Sequence, residues 1–246
     1  MSPSPANHCW AALPAAGIGR RMGSAIPKQY LSLNGRTVLE HTLTRIANHE
    51  DVNGVVVALA PNDVWWPTLT LPSSTPIFTT LGGTKRCHSV RNAIEILLTP
   101  KIGARENDWV LVHDAVRPCV RKTDISRLMT TLADHPTGGL LGIPVRDTMK
   151  HTSTNKEVLR TVVREGLWHA LTPQMFRVGK LIKALTYCID QSIIVTDEAQ
   201  AIELQNEKKL DSHPPHMVEG SGDNIKITRH NDLALAEFFL LNQKET

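Results

Sequence analysis

Four short segments gather small residues and fixed charge of the kind that binds phosphate. Leu13 to Met22 reads Leu-Pro-Ala-Ala-Gly-Ile-Gly-Arg-Arg-Met, with Pro14, Ala15, Ala16, Gly17 and Gly19 ahead of Arg20 and Arg21; Lys28 follows within Pro27-Lys28-Gln29. Small residues let backbone N–H groups approach an anion closely, and the cations add positive charge. A Gly-rich turn carrying surface arginines is the plainer alternative. Gly82-Gly83-Thr84-Lys85-Arg86 leads into a segment that carries Ser89, so amides, a hydroxyl and cations meet at a helix start; a simple helix cap fits as well. In His113-Asp114-Ala115-Val116-Arg117-Pro118 the aspartate can orient a ligand hydroxyl or a metal-bound water and the arginine can pair with phosphate, or the two can brace each other. Asp223-Asn224-Ile225-Lys226 adds a further lysine.

Two common nucleotide motifs can be tested against the first segment. A Walker A loop needs a second glycine where Met22 stands, and a dinucleotide fingerprint needs its third glycine at that same position. Asp63 does follow the second strand, where a ribose-binding acid would sit, so an NAD(P)-linked reductase stays open. The eleven histidines show no H-E-x-x-H or H-x-H spacing, and no protein-held metal is expected. Cys9, Cys87, Cys119 and Cys188 have no C-x-x-C pairing and read as reduced thiols. The net charge of +3 suits an anionic small substrate as well as a nucleic acid, but basic residues gather in ligand loops rather than on an aromatic-interleaved face, which argues against nucleic acid. No apolar run is long enough to span a membrane and no leader pattern is read, so a cytoplasmic protein is expected.

These segments need strand ends to hold them. Short apolar runs alternate with helix-spaced stretches, which predicts an α/β fold: a Rossmann-like, mainly parallel sheet with helices on both faces. Strands are expected at Cys9–Leu13, Val55–Leu59, Ile77–Thr80, Trp109–His113 and Leu140–Val145. Thr37 and Glu40 form a capping box ahead of Leu39, Leu43 and Ile46. Val90, Ala93, Ile94 and Leu97 mark a second helix, and Thr123 is expected to cap a third with Ile125, Leu128, Met129 and Leu132 inward. The Val/Thr-rich stretches Val145–Lys150 and Val158–Val163 flank a polar segment and read as a projecting β-hairpin arm at about 144–168 in one domain spanning 1–246. Exposed strand edges on such an arm favour burial against a second subunit. Further on, a helix near Thr196, a strand at Ile225–Thr228 and an amphipathic helix at Asp232–Leu241 are expected.

With these residues assembled, the chain resembles the 2-C-methyl-D-erythritol 4-phosphate cytidylyltransferase family of the non-mevalonate isoprenoid pathway. The matching pieces are PAAGIGRRM, PKQYL, GGTKRCHSV, VLVHDAVRPC, PVRDTMK, GLWHALTPQ, TDEA and DNIKIT, in family order from Pro14 to Thr228. The resemblance implies transfer of CMP from CTP to methylerythritol phosphate, with pyrophosphate leaving alongside Mg²⁺, and a homodimer interlocked through the arm. It implies catalytic Arg21, Lys28 and Lys226. CTP would be bound by the 14–19 loop, Gly83, Arg86, Ser89 and Ala115. The acceptor would meet Asp114, Arg117, Thr172 and Thr196, with Thr148 and Arg164 from the partner's arm. The departures are Thr84 and Lys85 where an acid is common, Val116 for alanine, and Val163 for aspartate. A ribitol 5-phosphate cytidylyltransferase shares several of these motifs, and a nucleotide sensor without chemistry is the remaining rival.

Overall fold

The computed structural model describes residues 8–17, 26–206 and 213–243. Eleven strands and six α-helices occur among them. In chain order the strands are β1 (Cys9–Pro14), β2 (Ser32–Leu33), β3 (Arg36–Thr37), β4 (Val52–Leu59), β5 (Ile77–Leu81), β6 (Trp109–Val112), β7 (Gly138–Pro144), β8 (Met149–Thr152), β9 (Val158–Val162), β10 (Trp168–Arg177) and β11 (His216–Glu219). The helices are α1 (Val38–Ala47), α2 (Arg86–Leu97), α3 (Lys122–Leu132), α4 (Val178–Asp190), α5 (Glu198–Asn206) and α6 (Asn231–Asn242).

Seven strands form one sheet in the order β11-β7-β10-β6-β1-β4-β5, parallel except for β10, which runs antiparallel to both neighbours. The central strands are apolar throughout because both faces are covered. Alternate residues divide between two cores. Ala11, Leu13, Val55 and Val57 pack with α1 and α3, while Trp10, Ala12 and Val56 pack with α2, α4 and α5. Thr37 caps α1 as expected: its Oγ1 accepts from Glu40 N, and the Glu40 carboxylate accepts from Thr37 N.

Several expectations are corrected. The third helix begins earlier than a Thr123 cap allows: its N-cap is Arg121, without a side-chain bond, and Thr123 lies inside the first turn. Ile225–Thr228 joins no sheet; Ile227 N donates to Val116 O at 2.9 Å as a tether to the neighbouring loop. The last helix is apolar on more than one side, exposing Leu235, Phe238 and Leu241. Strands β10 and β11 and helix α4 were not anticipated. The hairpin is present as a separate two-stranded sheet, β8 with β9, whose turn runs through Ser153–Glu157.

Candidate active site

Strand β1 lies between β4 and β6, so the chain leaves it toward opposite sides of the sheet; a crevice opens beyond the strand ends at such a reversal. A cavity of about 590 Å³ occupies it. One wall is the turn after β1, Pro14, Ala15, Ala16 and Gly17. Gln29, buried behind Lys28, donates from Nε2 to Ala15 O at 2.7 Å and so fixes that turn. The facing wall is Gly83, Thr84, Lys85, Arg86 and Ser89, from the β5–α2 junction. The two walls touch: a Cβ on Gly82 would lie 2.3 Å from that of Ala16, so only glycine permits this approach. Ser89 Oγ accepts from Gly83 N at 3.0 Å and donates to Lys85 O at 3.3 Å, which holds the Gly-Gly turn against its helix.

Asp114, Ala115 and Val116, after β6, form the floor, and Lys28 and Lys226 close the remaining side. Asp114 is 5% exposed and meets three cations: Arg86 Nε at 3.0 Å, Lys226 Nζ at 2.9 Å and Arg117 Nε at 3.3 Å. Burial alone would raise its pKa, but Arg86, Lys226 and Arg117 together hold the carboxyl well below the usual carboxylate range. Arg86 is forked onto the buried Glu198, with Nη1 at 2.5 Å and Nη2 at 3.1 Å. Burial works against its charge, yet Glu198 and Asp114 outweigh burial and raise its pKa. Lys28 Nζ donates to Ile227 O at 3.2 Å, which brings the two lysine segments side by side.

Beneath the floor, a chain of hydrogen bonds fixes the loop. Burial pushes His113 down to about 4, so it is neutral at pH 7. Its Nε2 is 3.0 Å from Arg117 O, which can only accept, so that nitrogen carries the proton. Nδ1 then accepts from the Thr172 hydroxyl at 3.0 Å, and Thr172 Oγ1 accepts from Asp114 N at 3.1 Å. Arg117 Nη1 donates to Asn224 O at 2.6 Å, and Asn224 Nδ2 donates to Thr172 O at 2.7 Å. Arg117 therefore does what the bracing alternative described: it ties Asp114 to the segment that carries Lys226.

Of the residues expected at the site, Pro14, Ala15, Ala16, Gly17, Lys28, Gly83, Arg86, Ser89, Asp114, Ala115 and Lys226 line this cavity. Arg117 and Thr172 are buried behind it. Thr148 and Arg164 are exposed on the segments flanking the hairpin, where Arg164 bonds Arg146 O, and Thr196 is exposed ahead of α5 with its hydroxyl on Gln200 Oε1. Gly19 and Arg21 lie outside the described residues. Glu198 and Gln29 went unassigned although both stand in quoted motifs. Glu198 is set by Gln174, which accepts from Ala199 N at 2.9 Å and donates to Asp197 at 2.9 Å. Asp63 is committed elsewhere: it accepts from Tyr30 Oη at 2.7 Å and from Trp65 N and Trp66 N at 3.1 Å each, so it does not stand ready for a ribose. The four cysteines are buried and unpaired, and no helix among the described residues is long and apolar enough to cross a membrane.

The family model for 2-C-methyl-D-erythritol 4-phosphate cytidylyltransferase matches residues 9–242. A protein of that name from Pseudomonas putida (strain W619) is 48% identical over 224 residues, 91% of this chain and 92% of the relative. One from Vibrio parahaemolyticus is 43% identical over 244 residues, covering 99% of this chain and 100% of its own. The crystal structure of the Francisella tularensis 2-C-methyl-D-erythritol 4-phosphate cytidylyltransferase superposes with a TM-score of 0.78 at 34% identity, covering 94% of this chain and 99% of that one. The likeness spans the strands, the cavity and both lysine segments together. The chain belongs to the 2-C-methyl-D-erythritol 4-phosphate cytidylyltransferase family.

Proposed function

We propose that this chain transfers CMP from CTP to 2-C-methyl-D-erythritol 4-phosphate, giving 4-diphosphocytidyl-2-C-methyl-D-erythritol and pyrophosphate. The observation that carries the reading is the convergence of Lys28 and Lys226 on one cavity with a carboxylate, Asp114, whose own charge is already spent internally. The acceptor's phosphate oxygen attacks the α-phosphorus of CTP in line, and the bond from that phosphorus to the bridging oxygen of pyrophosphate breaks. Two anions must meet, so neutralisation and alignment supply the catalysis, with no covalent intermediate. Lys28 and Lys226 offset the phosphate charge. Gly17, with Gly19 and Arg21, binds the triphosphate. Gly83, Arg86, Ser89 and Ala115 receive the cytidine end, where small side chains leave room for a flat ring.

Asp114 is the one carboxylate among the described residues lining the cavity, and both its oxygens are taken by cations. The donor set therefore suits Mg²⁺ carried on the CTP phosphates rather than held by protein side chains. Such an ion would neutralise the triphosphate and ease departure of pyrophosphate. Asp114, Arg117, Thr172 and Thr196 form the acceptor side within one subunit. Thr148 and Arg164 complete it from the arm of a second subunit in a homodimer. The apolar exposure of Val158, Leu159 and Val163 on that arm supports such a contact. The chain works as one nucleotidyltransferase unit with its arm inserted, in the cytoplasm, where CTP is supplied.

The test is pyrophosphate release from CTP and Mg²⁺ with each acceptor in turn. Release with methylerythritol phosphate and none with ribitol 5-phosphate is the expected result. Release with ribitol 5-phosphate alone would keep the reaction class and overturn the acceptor.

A further inference from the structure

A second cavity, of about 220 Å³, lies behind the substrate loops, lined by Arg121, Ser221, Gly222, Asp223, Phe239, Asn242 and Gln243. Two of its side chains are more than nine-tenths buried and carry an oxygen that accepts no hydrogen bond among the described residues: Asp223 Oδ1 and Gln243 Oε1. A buried acceptor left unmet costs about 1–3 kcal/mol, so two in one cavity call for a partner, water or a bound ion. The other side-chain polar atoms of this pair are engaged. Asp223 Oδ2 accepts from Arg121 Nε at 2.9 Å, Arg121 Nη2 at 2.6 Å and Gln243 Nε2 at 2.9 Å, and Gln243 Nε2 also donates to Cys119 O at 2.8 Å.

The two unmet atoms are a carboxylate oxygen and an amide oxygen, so their partner must be a donor or a cation. Zinc-type metals are held mainly by histidine and cysteine, and neither lines this cavity. Mg²⁺ and Ca²⁺ want more negative charge than one carboxylate already shared with Arg121 provides. We propose that this cavity binds a small monovalent cation, potassium or ammonium, between Asp223 Oδ1 and Gln243 Oε1, and that binding steadies the catalytic loops. This regulation rests on the cytidylyl-transfer reading.

The route to the active site is short. Asp223 begins the segment that ends in Lys226, and Ile225 N donates to Asp223 O at 2.7 Å. Asn224 O holds Arg117, and Lys226 reaches Asp114. On the other side, Gln243 fixes Cys119, two residues beyond Arg117. A cation drawing Asp223 and Gln243 together would tighten both loops that meet at Asp114.

The experiment measures Tm and the KM for the acceptor phosphate in potassium, ammonium or choline chloride at equal ionic strength, with saturating CTP and Mg²⁺. Potassium or ammonium is expected to raise Tm by a few degrees over choline and to lower KM several-fold, and Asp223→Asn is expected to abolish both effects. Gln243→Met, which keeps the carboxylate, is expected to weaken the apparent cation affinity at least tenfold. Equal Tm and KM in all three salts would overturn the proposal and leave a cavity filled by water. So would a cation response unchanged in Gln243→Met, which also serves if Asp223→Asn does not fold. The Tm response is read without substrate, so it stands or falls independently of whether CTP is turned over.

Discussion

Asp114 in the cavity and Arg164 on the arm are both charged residues that we propose for the acceptor side, yet their surroundings are opposite. Asp114 is almost wholly buried, with three cations on its oxygens and its backbone N–H bonded to Thr172. Arg164 is exposed, and its guanidinium bonds the carbonyl of Arg146 across the base of its own hairpin. The cavity is organised within one chain; its charges are placed before any ligand arrives, which lowers the reorganisation needed in the transition state. The arm has no core of its own, and a two-stranded hairpin is marginally stable in water by itself. Its residues can act with comparable precision only where a second surface holds them.

That contrast can be broken at its strongest point first. Lys28 lines the cavity, and its Nζ donates to Ile227 O, so removing it should cost more in activity than in stability. Lys28→Ala is expected to lower kcat by roughly ten- to a hundredfold or more, as loss of one charge-assisted contact implies, with little change in Tm. Near-normal kcat in a steady-state assay would remove Lys28 from the mechanism.

Asp114 should behave in the reverse way. Asp114→Asn leaves Arg86, Arg117 and Lys226 without their shared anion, and breaking a buried pair on one side costs about 3–5 kcal/mol. Denaturant unfolding should register that loss, and activity should fall with it. Because the folded pKa of Asp114 is depressed, its stabilisation is present above the unfolded carboxylate range near pH 4 and is lost as pH falls below it. The acid limb of the stability profile should therefore flatten in the variant.

A smaller effect belongs to His113. Its folded pKa, about 4, lies below the unfolded value near 6.5, so protonation favours the unfolded chain. Its contribution is complete above about pH 6.5, declines as pH falls toward 4, and totals at most about 3 kcal/mol. His113→Asn should remove that slope between pH 6.5 and 4 while leaving the Asp114 limb below it. An unchanged slope would mean that His113 is not held neutral by burial.

The same contrast explains what was legible in the sequence. The walls of the cavity were readable because each is a local string of small residues and cations after an apolar run, as at Pro14–Gly17 and Gly83–Arg86. Glu198 was not, because its value lies in a contact with Arg86, 112 positions away. Strand β10 was hidden by Pro173 within it, a residue that argues against a strand interior; the ladder with β7 does break between Ala170 and Gln174. Helix α4 begins without a capping side chain and with Gly179 in its first turn, so its start carries no signal despite the buried Leu181, Ala184, Leu185 and Cys188. The Ile225–Thr228 segment alternates like a strand, but its apolar Ile227 is buried in a small separate cluster with Leu33, Val38, Val116, Cys119 and Ala236 rather than against a sheet face.

The division of the site between a preformed cavity and a borrowed arm is tested most directly by mixing subunits. Lys28→Ala and Arg164→Ala chains, each weakly active alone, are dissociated, combined in equal amounts and assayed for pyrophosphate release from CTP and methylerythritol phosphate. If Arg164 serves the partner's cavity, each heterodimer regains one intact site, and activity returns to about a quarter of wild type. Heterodimers no more active than their parents would place Arg164 and Lys28 in the same subunit's site and contradict the shared arrangement.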